Sequence, residues 1–272
     1  MSSAPASTRT LRILRFLAAQ PQPVAAEHIA SAVGLPRAST YRLLTAMADE
    51  GFVVHLADEQ TFGLGPAAFE VGAGYVRQAP LERLSRLPLA RLVDRVGESA
   101  HLAVLHGRDV LYVIEERAPG RPPLVTDVGV RLPSQLTASG RAILAALPAA
   151  QVRALFPGRA AFGDHAGPAT AAGRASVRPT TPAALRVLLS ETRQRGYAVE
   201  DGEVTPGFAS VASAVLDHNG YPTAAVAVTF DSRTAPGPGR RSGPSAYERL
   251  APAVGAVAAE LSRRLRGRGT HV

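Results

Sequence analysis

The 272-residue chain contains no cysteine, which excludes disulfide bonds, thiolate metal ligands and a cysteine nucleophile. It contains no lysine either, so all 30 of its basic side chains are arginine, and we attribute this bias to a GC-rich genome. No apolar run approaches the roughly 20 residues of a membrane-spanning helix, and the first residues lack the apolar core of a secretory signal. From these absences we expect a soluble, cytoplasmic protein.

The formal net charge is +8, and a basic chain of this kind favours contact with nucleic acid. The charge is spread over the whole sequence. Residues 1–95 carry ten arginines against eight acidic residues (+2), and residues 96–272 carry twenty against fourteen (+6). Charge alone therefore does not place a DNA-binding surface in either half, although the length and the 46% apolar content allow two domains.

The first 50 residues carry the signals of three short helices. Residues 8–19 place Leu11, Leu14 and Leu17 near one helical face. The proline-rich residues 20–23 end that helix. A second helix ends at Gly34, because glycine favours the left-handed conformation that closes a helix, and a third helix begins three residues later.

The third helix has an apolar side and a polar side. On a helical wheel, Leu43, Leu44, Met47 and Thr40 cluster on one side, and Arg42 points the other way. Beyond the helix, FVVHLADEQTFGLG (52–65) predicts two strands around a turn at residues 57–60. This order is typical of a winged helix-turn-helix, which reads DNA with its third helix. The candidate DNA contacts are Arg37, Ser39, Thr40, Tyr41, Arg42 and Thr45 on the helix, and His55 and Gln60 in the wing. An ordinary solvated face remains the alternative.

A linking helix is predicted at residues 66–79. It makes Phe69, Val71 and Tyr75 available for packing, either within the chain or against a second copy in a dimer. One DNA-binding module contacts only a few base pairs, so useful specificity requires at least two modules.

The remaining sequence, residues 80–272, predicts an α+β domain with an antiparallel sheet. Its strands form two hairpins, which turn at residues 107–109 and at Asn219–Gly220. Helices are expected at TASGRAILAAL, at residues 182–195 with Thr181 as the cap and Gly196 as the stop, and from about Ser245 to Arg266. Residues 157–179 and 232–243, rich in glycine, alanine and proline, predict loops.

Motifs of common enzymes are absent. The seven histidines form no pair at helical metal-ligand spacing, and no HExxH, GxSxG or P-loop sequence occurs. Ser139 is better explained as a helix-start hydroxyl than as a nucleophile. The acids Glu200, Asp201 and Glu203 are better explained as solvated or ligand-contacting residues than as a catalytic cluster. We predict no catalytic residue, metal or cofactor; a sensory protein or a small hydrolase or lyase without DNA binding is the alternative.

Five ordered blocks connect the two halves of the chain. They are GLPRASTYRLLTAMADEGFV with its wing TFGLGPAAFEVG, GESAHLAVLHGRDVLYV, LPSQLTASGRAILA, RGYAVEDGEVTPGFASVASAV and AAVAVTF. With this order and spacing, the chain resembles the IclR family of transcriptional regulators over nearly its whole length. The resemblance implies a winged helix-turn-helix domain (1–65), a linker helix (66–79) and a GAF-like effector-binding domain (80–272). It also implies a homodimer or homotetramer that binds a double-stranded DNA operator, with repression as the expected mode.

The resemblance further implies a ligand cavity where the TASG helix start, the loop after RGYAVED and two central strands converge. The free N–H groups of a helix start favour an anion, so the expected effector is a small organic or aromatic acid. The expected polar and small contacts are Ala138, Ser139, Glu200, Ser210, Ala227 and Thr229, and the expected apolar wall is Leu124, Leu132 and Phe208. Two departures from the family pattern, Ser210 for a frequent cysteine and Ala227 for a hydroxyl, leave the ligand class open. The hydroxyls could instead satisfy local backbone groups.

Overall fold

The computed structural model describes residues 5–78, 80–163, 178–232 and 245–266. The chain divides into two compact units, Met1–Pro80 and Leu81–Val272. Most of both predicted loops, and the side chain of Tyr75, lie outside the described part of the chain.

The first unit is a winged helix-turn-helix, as predicted. It contains α1 (Pro5–Ala18), β1 (Val24–Ala25), α2 (Ala26–Val33), α3 (Arg37–Asp49), β2 (Val53–Leu56), β3 (Thr61–Leu64) and α4 (Pro66–Gln78). The strands form an antiparallel sheet in the order β1-β3-β2. Gly34 ends α2 with a φ of 68°, which confirms its predicted role. The two-residue strand β1 was not predicted, because so short a strand has no detectable alternation.

The buried side of α1 differs from the prediction. Ile13 and Leu17 are 0% and 5% exposed, whereas Leu11 is 60% exposed. The buried positions are therefore one helical turn apart and exclude Leu11.

The backbone passes very close to itself at Gly65, where an added Cβ would lie 2.3 Å from the Gly51 carbonyl oxygen. This close backbone approach brings the end of β3 against the end of α3.

The second unit is an antiparallel sheet with helices on both faces. Its elements are α5 (Pro80–Val96), β4 (Ser99–His106), β5 (Asp109–Glu116), β6 (Arg131–Pro133), α6 (Ala138–Ala146), α7 (Ala149–Leu155), α8 (Pro182–Arg195), β7 (Ala198–Asp201), β8 (Phe208–Leu216), β9 (Pro222–Asp231) and α9 (Ala246–Arg266). The strand order is β6-β5-β4-β9-β8-β7. Both predicted hairpins and the three predicted helices are present; the short elements β6, β7 and α7 were missed.

Alternate residues of the central strands face two different cores. On β9, Ala225 and Ala227 belong to the core that contains α6 and α8, whereas Val226 and Val228 belong to the core that contains α5 and α9. A strand covered on both faces is apolar throughout. This explains why the AAVAV run does not alternate between apolar and polar residues.

The start of α6 packs unusually close to the preceding 3₁₀ turn, Ser134–Leu136. The hydroxyl of Thr137 caps the helix by accepting a hydrogen bond from Gly140 N at 2.9 Å. A Cβ added at Gly140 would lie 2.2 Å from the Ser134 carbonyl oxygen. Only glycine permits this approach, which places Ala138 and Ser139 over the sheet.

Candidate functional site

The polar face of α3 is accessible in the first unit. Four of its predicted DNA contacts are exposed and one is half-buried; in that order they are Arg37, Tyr41, Arg42, Thr45 and Ser39. The opposite face packs into the core through Leu44 and Met47. The helix therefore presents a continuous polar surface of the kind that enters a DNA groove.

Thr40 corrects the list of predicted DNA contacts. Its side chain is 0% exposed, and its hydroxyl donates to the Pro36 carbonyl oxygen at 3.2 Å. Thr40 lies on the core side of α3, where the helical wheel placed it. Its hydroxyl can be buried there because it is already hydrogen-bonded to the preceding turn of its own helix. The prediction that Thr40 contacts DNA directly is therefore wrong.

The two arginines of α3 differ in their surroundings. Arg37 forms an ion pair with Glu27 of α2. Among the described residues, no carboxylate pairs with Arg42. Arg42 is therefore the α3 cation whose charge is available to a phosphate or a guanine.

The wing is anchored through Phe62 of β3. The rings of His55 and Phe62 stack with centroids 4.5 Å apart, and Tyr41 of α3 meets the same Phe62 ring edge-on at 6.1 Å. At the wing turn, Gln60 adopts a left-handed φ of 53°, and its side-chain amide donates to the Ala57 carbonyl oxygen at 2.6 Å. His55 and Gln60 are both exposed, so the wing and α3 present one polar side of this unit.

A cavity lies in the second unit between the start of α6, strands β4, β5, β8 and β9, and the loops before β6 and after β7. The cavity is small: its volume of about 20 Å³, counted as the space open to the centre of a water molecule, holds about one water. The lining residues are His101, Tyr112, Leu124, Val125, Thr126, Thr137, Ala138, Ser139, Glu200, Val204, Thr205, Phe208, Ser210, Ala227 and Thr229.

This lining includes every predicted effector contact except Leu132. Leu132 lies on β6, pairs with Val110 and packs against the α6 core instead. The sequence analysis missed His101 and Tyr112, because their strands are apolar on both faces and gave no sign of which side chains point inward. Thr137 was detectable, since a threonine before a helix start is a common cap.

The hydroxyl groups of the cavity fall into two kinds. Ser210 Oγ and Thr229 Oγ1 lie 3.0 Å apart and satisfy each other. Ser139 is 1% exposed. Its Oγ has no partner of hydrogen-bond geometry among the described residues; the side chain lies close enough to the Tyr112 hydroxyl to lower the pKa of Tyr112. An unpartnered buried hydroxyl at a helix start is a group that a ligand can satisfy.

His101 supplies a second unpartnered atom. Its Nε2 lies 3.4 Å from Thr126 Oγ1, while its buried Nδ1 has no partner among the described residues. Burial lowers the pKa of His101 to about 4, and the charge of Arg117 adds to this. The ring is therefore neutral at neutral pH and offers the cavity a polar atom without a charge.

Glu200 lies beside a buried ion pair. Arg141 of α6 is 2% exposed, and its Nη2 donates to Glu203 Oε1 at 2.7 Å. Glu200 is 3% exposed, accepts a hydrogen bond from Val204 N at 3.0 Å, and has the Ser210 side chain as a second hydrogen-bond donor that lowers its pKa. Burial raises the pKa of Glu200 to about 8, with a further contribution from the charge of Glu203. The cavity therefore holds a carboxyl group that is largely protonated at neutral pH.

The described residues show neither a metal site nor a membrane-spanning helix. Within them, no group of three or more histidine, aspartate or glutamate side chains is arranged to hold a metal ion. None of the helices found there combines the length and apolar character needed to cross a bilayer.

Comparison with known proteins gives the same architecture. The IclR helix-turn-helix domain model matches residues 6–57, and the model of the bacterial transcriptional regulator IclR C-terminal domain matches residues 73–262. The transcriptional repressor IclR of Escherichia coli is 29% identical over 224 residues, which are 82% of this chain and 78% of the relative.

Two solved structures share the fold. An IclR transcriptional regulator from Alicyclobacillus acidocaldarius superimposes with a TM-score of 0.78 at 22% identity, covering 96% of this chain and 99% of the other. An IclR homologue from Microbacterium hydrocarbonoxydans, complexed with 4-hydroxybenzoate, gives a TM-score of 0.74 at 21% identity with the same coverage.

A winged helix-turn-helix followed by a helix-covered antiparallel sheet that encloses a cavity defines a two-domain, effector-controlled DNA-binding regulator. The chain belongs to the IclR family of transcriptional regulators.

Glu200 predicts a specific pH dependence of stability. A glutamate in an unfolded chain titrates near pH 4.3, so a folded pKa of about 8 means that the folded protein disfavours the ionised form. This group therefore destabilises the fold progressively as pH rises from about 4 to 8, by at most about 1.4 kcal/mol per pH unit. We expect Glu200→Gln to raise the melting temperature relative to the wild type more at pH 8 than at pH 5.

Calorimetric melting curves at these two pH values measure the effect. Glu191→Gln, at an exposed position of α8, is the matched control and is expected to follow the wild type at both. Equal shifts for Glu200→Gln at pH 5 and pH 8 would contradict the assignment of a buried, protonated Glu200.

Proposed function

We propose that this regulator is a repressor that leaves its operator when a small organic acid, with an apolar or aromatic body, binds the cavity over Ser139. The observation that supports this most is the buried Ser139 hydroxyl at the start of α6, which has no hydrogen-bond partner among the described residues. Such a regulator acts on chromosomal DNA, so we place it in the cytoplasm. The relative from Escherichia coli is named a repressor, which supports the proposed sign of regulation.

The ligand class follows from the two kinds of surface in the cavity. The start of α6 offers backbone N–H groups and the Ser139 hydroxyl, which suit a carboxylate. Leu124, Val125 and Phe208 offer an apolar wall. The 4-hydroxybenzoate bound to a structural neighbour of the same fold is an acid of this shape, and it supports the proposal.

A ring-sized ligand requires the cavity to open. Room for about one water molecule is far below the roughly 300 Å³ of an ordinary ligand site. We propose that residues 202–207 and 117–130, which contribute Val204, Thr205 and Leu124 to the wall, move outward on binding. Ligand affinity then differs between the closed and opened arrangements, and this difference is what shifts the regulator between its DNA-binding states.

On the DNA side, we propose that α3 enters the major groove with Arg42 and that the wing at His55–Gln60 lies along the backbone or minor groove. Arg42→Ala is expected to cost about 1 to 3 kcal/mol of operator binding if Arg42 reads a guanine, or to weaken all sequences alike if it holds a phosphate. A gel shift with the DNA upstream of the gene, against a scrambled duplex, separates these cases.

Arg153→Ala is the control for Arg42→Ala, since Arg153 is an exposed arginine of α7 in the other unit. It should bind the operator like the wild type. Unchanged operator affinity in an Arg42→Ala, Thr45→Ala double variant would sink the proposed DNA surface.

For the effector, we expect a Ser139→Ala, Ser210→Ala variant to bind 4-hydroxybenzoate, or the acid that a thermal-shift screen selects, about 1.5 to 3 kcal/mol more weakly. Ser139 should account for most of the loss, because Ser210 already has Thr229 as its partner. Calorimetry measures the affinity. Ser213→Ala, at a β8 position outside the cavity lining, is the control. If the double variant binds the acid as tightly as the wild type, the site lies elsewhere.

We also propose a dimer that uses the exposed apolar side chains of α4. Phe69 is 79% exposed and Val71 is 62% exposed, which is a large apolar surface for a helix to leave in water. At micromolar concentration, light scattering is expected to give wild-type protein the molar mass of a dimer or tetramer. Phe69→Glu with Val71→Glu should shift it towards monomer, whereas Val187→Glu, at an exposed position of α8, should not. A monomeric wild type, with and without operator, would overturn the dimer.

A further inference from the structure

Glu200 is the carboxyl group that lines the cavity, and no cation of the described residues forms an ion pair with it. It lies on β7, where it pairs in register with Ser210 of β8, and its side chain lines the cavity. It accepts a hydrogen bond from the backbone N–H of Val204, and a hydrogen bond from the Ser210 side chain also lowers its pKa. Both donors are neutral groups, and two contacts leave part of the acceptor capacity of an ionised carboxylate unused.

The buried cation Arg141 lowers the pKa of Glu200 through its charge, but the hydrogen bonds of its guanidinium group go to other residues. Its Nε donates to the Gln135 carbonyl oxygen at 2.9 Å and its Nη1 to the Val199 carbonyl oxygen at 2.7 Å. Its Nη2 binds Glu203 Oε1, and the other oxygen of Glu203 accepts from Asp201 N at 2.6 Å. The charge of Arg141 is thus balanced by Glu203, and Glu200 is left as an additional acid.

The other titratable groups around Glu200 do not supply a positive charge. The pKa of His101 on β4 is lowered to about 4. Burial raises the pKa of Tyr112 on β5 and of Tyr247 on α9, and Glu200 contributes to both rises. Asp201, on the same strand, is a further acid. Arg178 approaches this region but donates its Nη2 to the Glu203 carbonyl oxygen at 2.8 Å.

A carboxylate effector would therefore bring a second acid next to Glu200. Two carboxyl groups that share a buried site cannot both be ionised, and the pair retains one proton. We propose that Glu200 selects carboxylate effectors by donating a hydrogen bond from its own protonated carboxyl group to the effector carboxylate. Glu200 and the effector then hold one proton between them. This inference rests on the proposed function, because it specifies how the same cavity recognises an organic acid.

The shared proton links effector binding to pH in a defined direction. When Glu200 is already protonated, its O–H donates to the effector and no proton is exchanged with solvent. When Glu200 is ionised, binding takes one proton from solvent. Affinity is then nearly constant below about pH 7.5, falls about fivefold between pH 8 and pH 9, and approaches a tenfold fall per pH unit at higher pH, because one proton is bound with each ligand.

The test uses isothermal titration calorimetry of the full chain with benzoate, phenylacetate and butyrate, which are singly charged from pH 6.5 to 9.5. We expect the Kd of each acid that binds to be alike at pH 6.5 and 7.5, and about five times larger at pH 9 than at pH 8, because about half of Glu200 is already ionised at pH 8. Repeating the titration at pH 8 in phosphate and in Tris, which differ in ionisation enthalpy, should reveal uptake of about half a proton per ligand.

Glu200→Gln removes the titration but keeps a hydrogen-bond donor. The affinity of this variant for the same acid should not decrease from pH 7 to pH 9, and binding should take up no proton from solvent. Glu191→Gln, an exposed glutamate of α8, should retain the wild-type pH dependence. Benzamide tests the wild type alone: this neutral ligand needs no shared proton, so its affinity should not fall above pH 8.

The outcomes separate the two proposals. Equal benzoate affinity of the wild type at pH 7 and pH 9, with no proton uptake, overturns the shared proton and leaves the organic-acid effector standing. Failure of all three acids to bind at any pH overturns both the acid class and this inference, while operator binding is judged independently by the gel shift.

Discussion

The buried ion pair between Arg141 and Glu203 holds together the elements that form the cavity. Through one guanidinium group, α6 is bound to the 3₁₀ turn before it, to β7 and to the loop after β7. Breaking such a pair by removing one partner typically costs about 3 to 5 kcal/mol, because an uncompensated charge stays buried. The position of the α6 start, and hence of Ser139, depends on this contact. The protonation of Glu200 depends on it too, because Arg141 forms its ion pair with Glu203, and no described cation forms one with Glu200.

The two units use polar residues in opposite ways. In the winged helix-turn-helix, the core holds the back of α3 and leaves its cations in water, where they can be desolvated by DNA. In the cavity of the sheet domain, hydroxyl, imidazole and carboxyl groups are enclosed, and two of their atoms, His101 Nδ1 and Ser139 Oγ, have no partner among the described residues. Enclosure makes each of these groups costly to leave unsatisfied, and this cost favours a ligand of matching polarity.

Much of this organisation was predictable from periodicity and helix-ending residues. The three helices and wing of the first unit, both hairpins of the second, Gly34, Thr181 and Gly196 all lie where the sequence indicated. The misses have physical causes. Strands of two to four residues such as β1 and β7 are too short to show alternation, and Leu11 is as apolar as the buried Ile13. Thr40 was selected for its hydroxyl, although its position on the wheel already indicated burial.

The sequence by itself determined the class of protein, the polar side of α3 and nearly all of the predicted residues that line the cavity, because helical period, glycine stops and ordered blocks are local properties of the chain. Only the tertiary structure decided which polar groups have partners. Ser210 lies against Thr229, Ser139 Oγ has no partner within the described part of the chain, and Arg141 forms its ion pair with Glu203 rather than with Glu200. Leu132 was placed in the core and His101 in the cavity by the same folding. These assignments depend on which distant segments pack together, and no local pattern encodes whether a buried hydroxyl or carboxyl finds its partner across that packing.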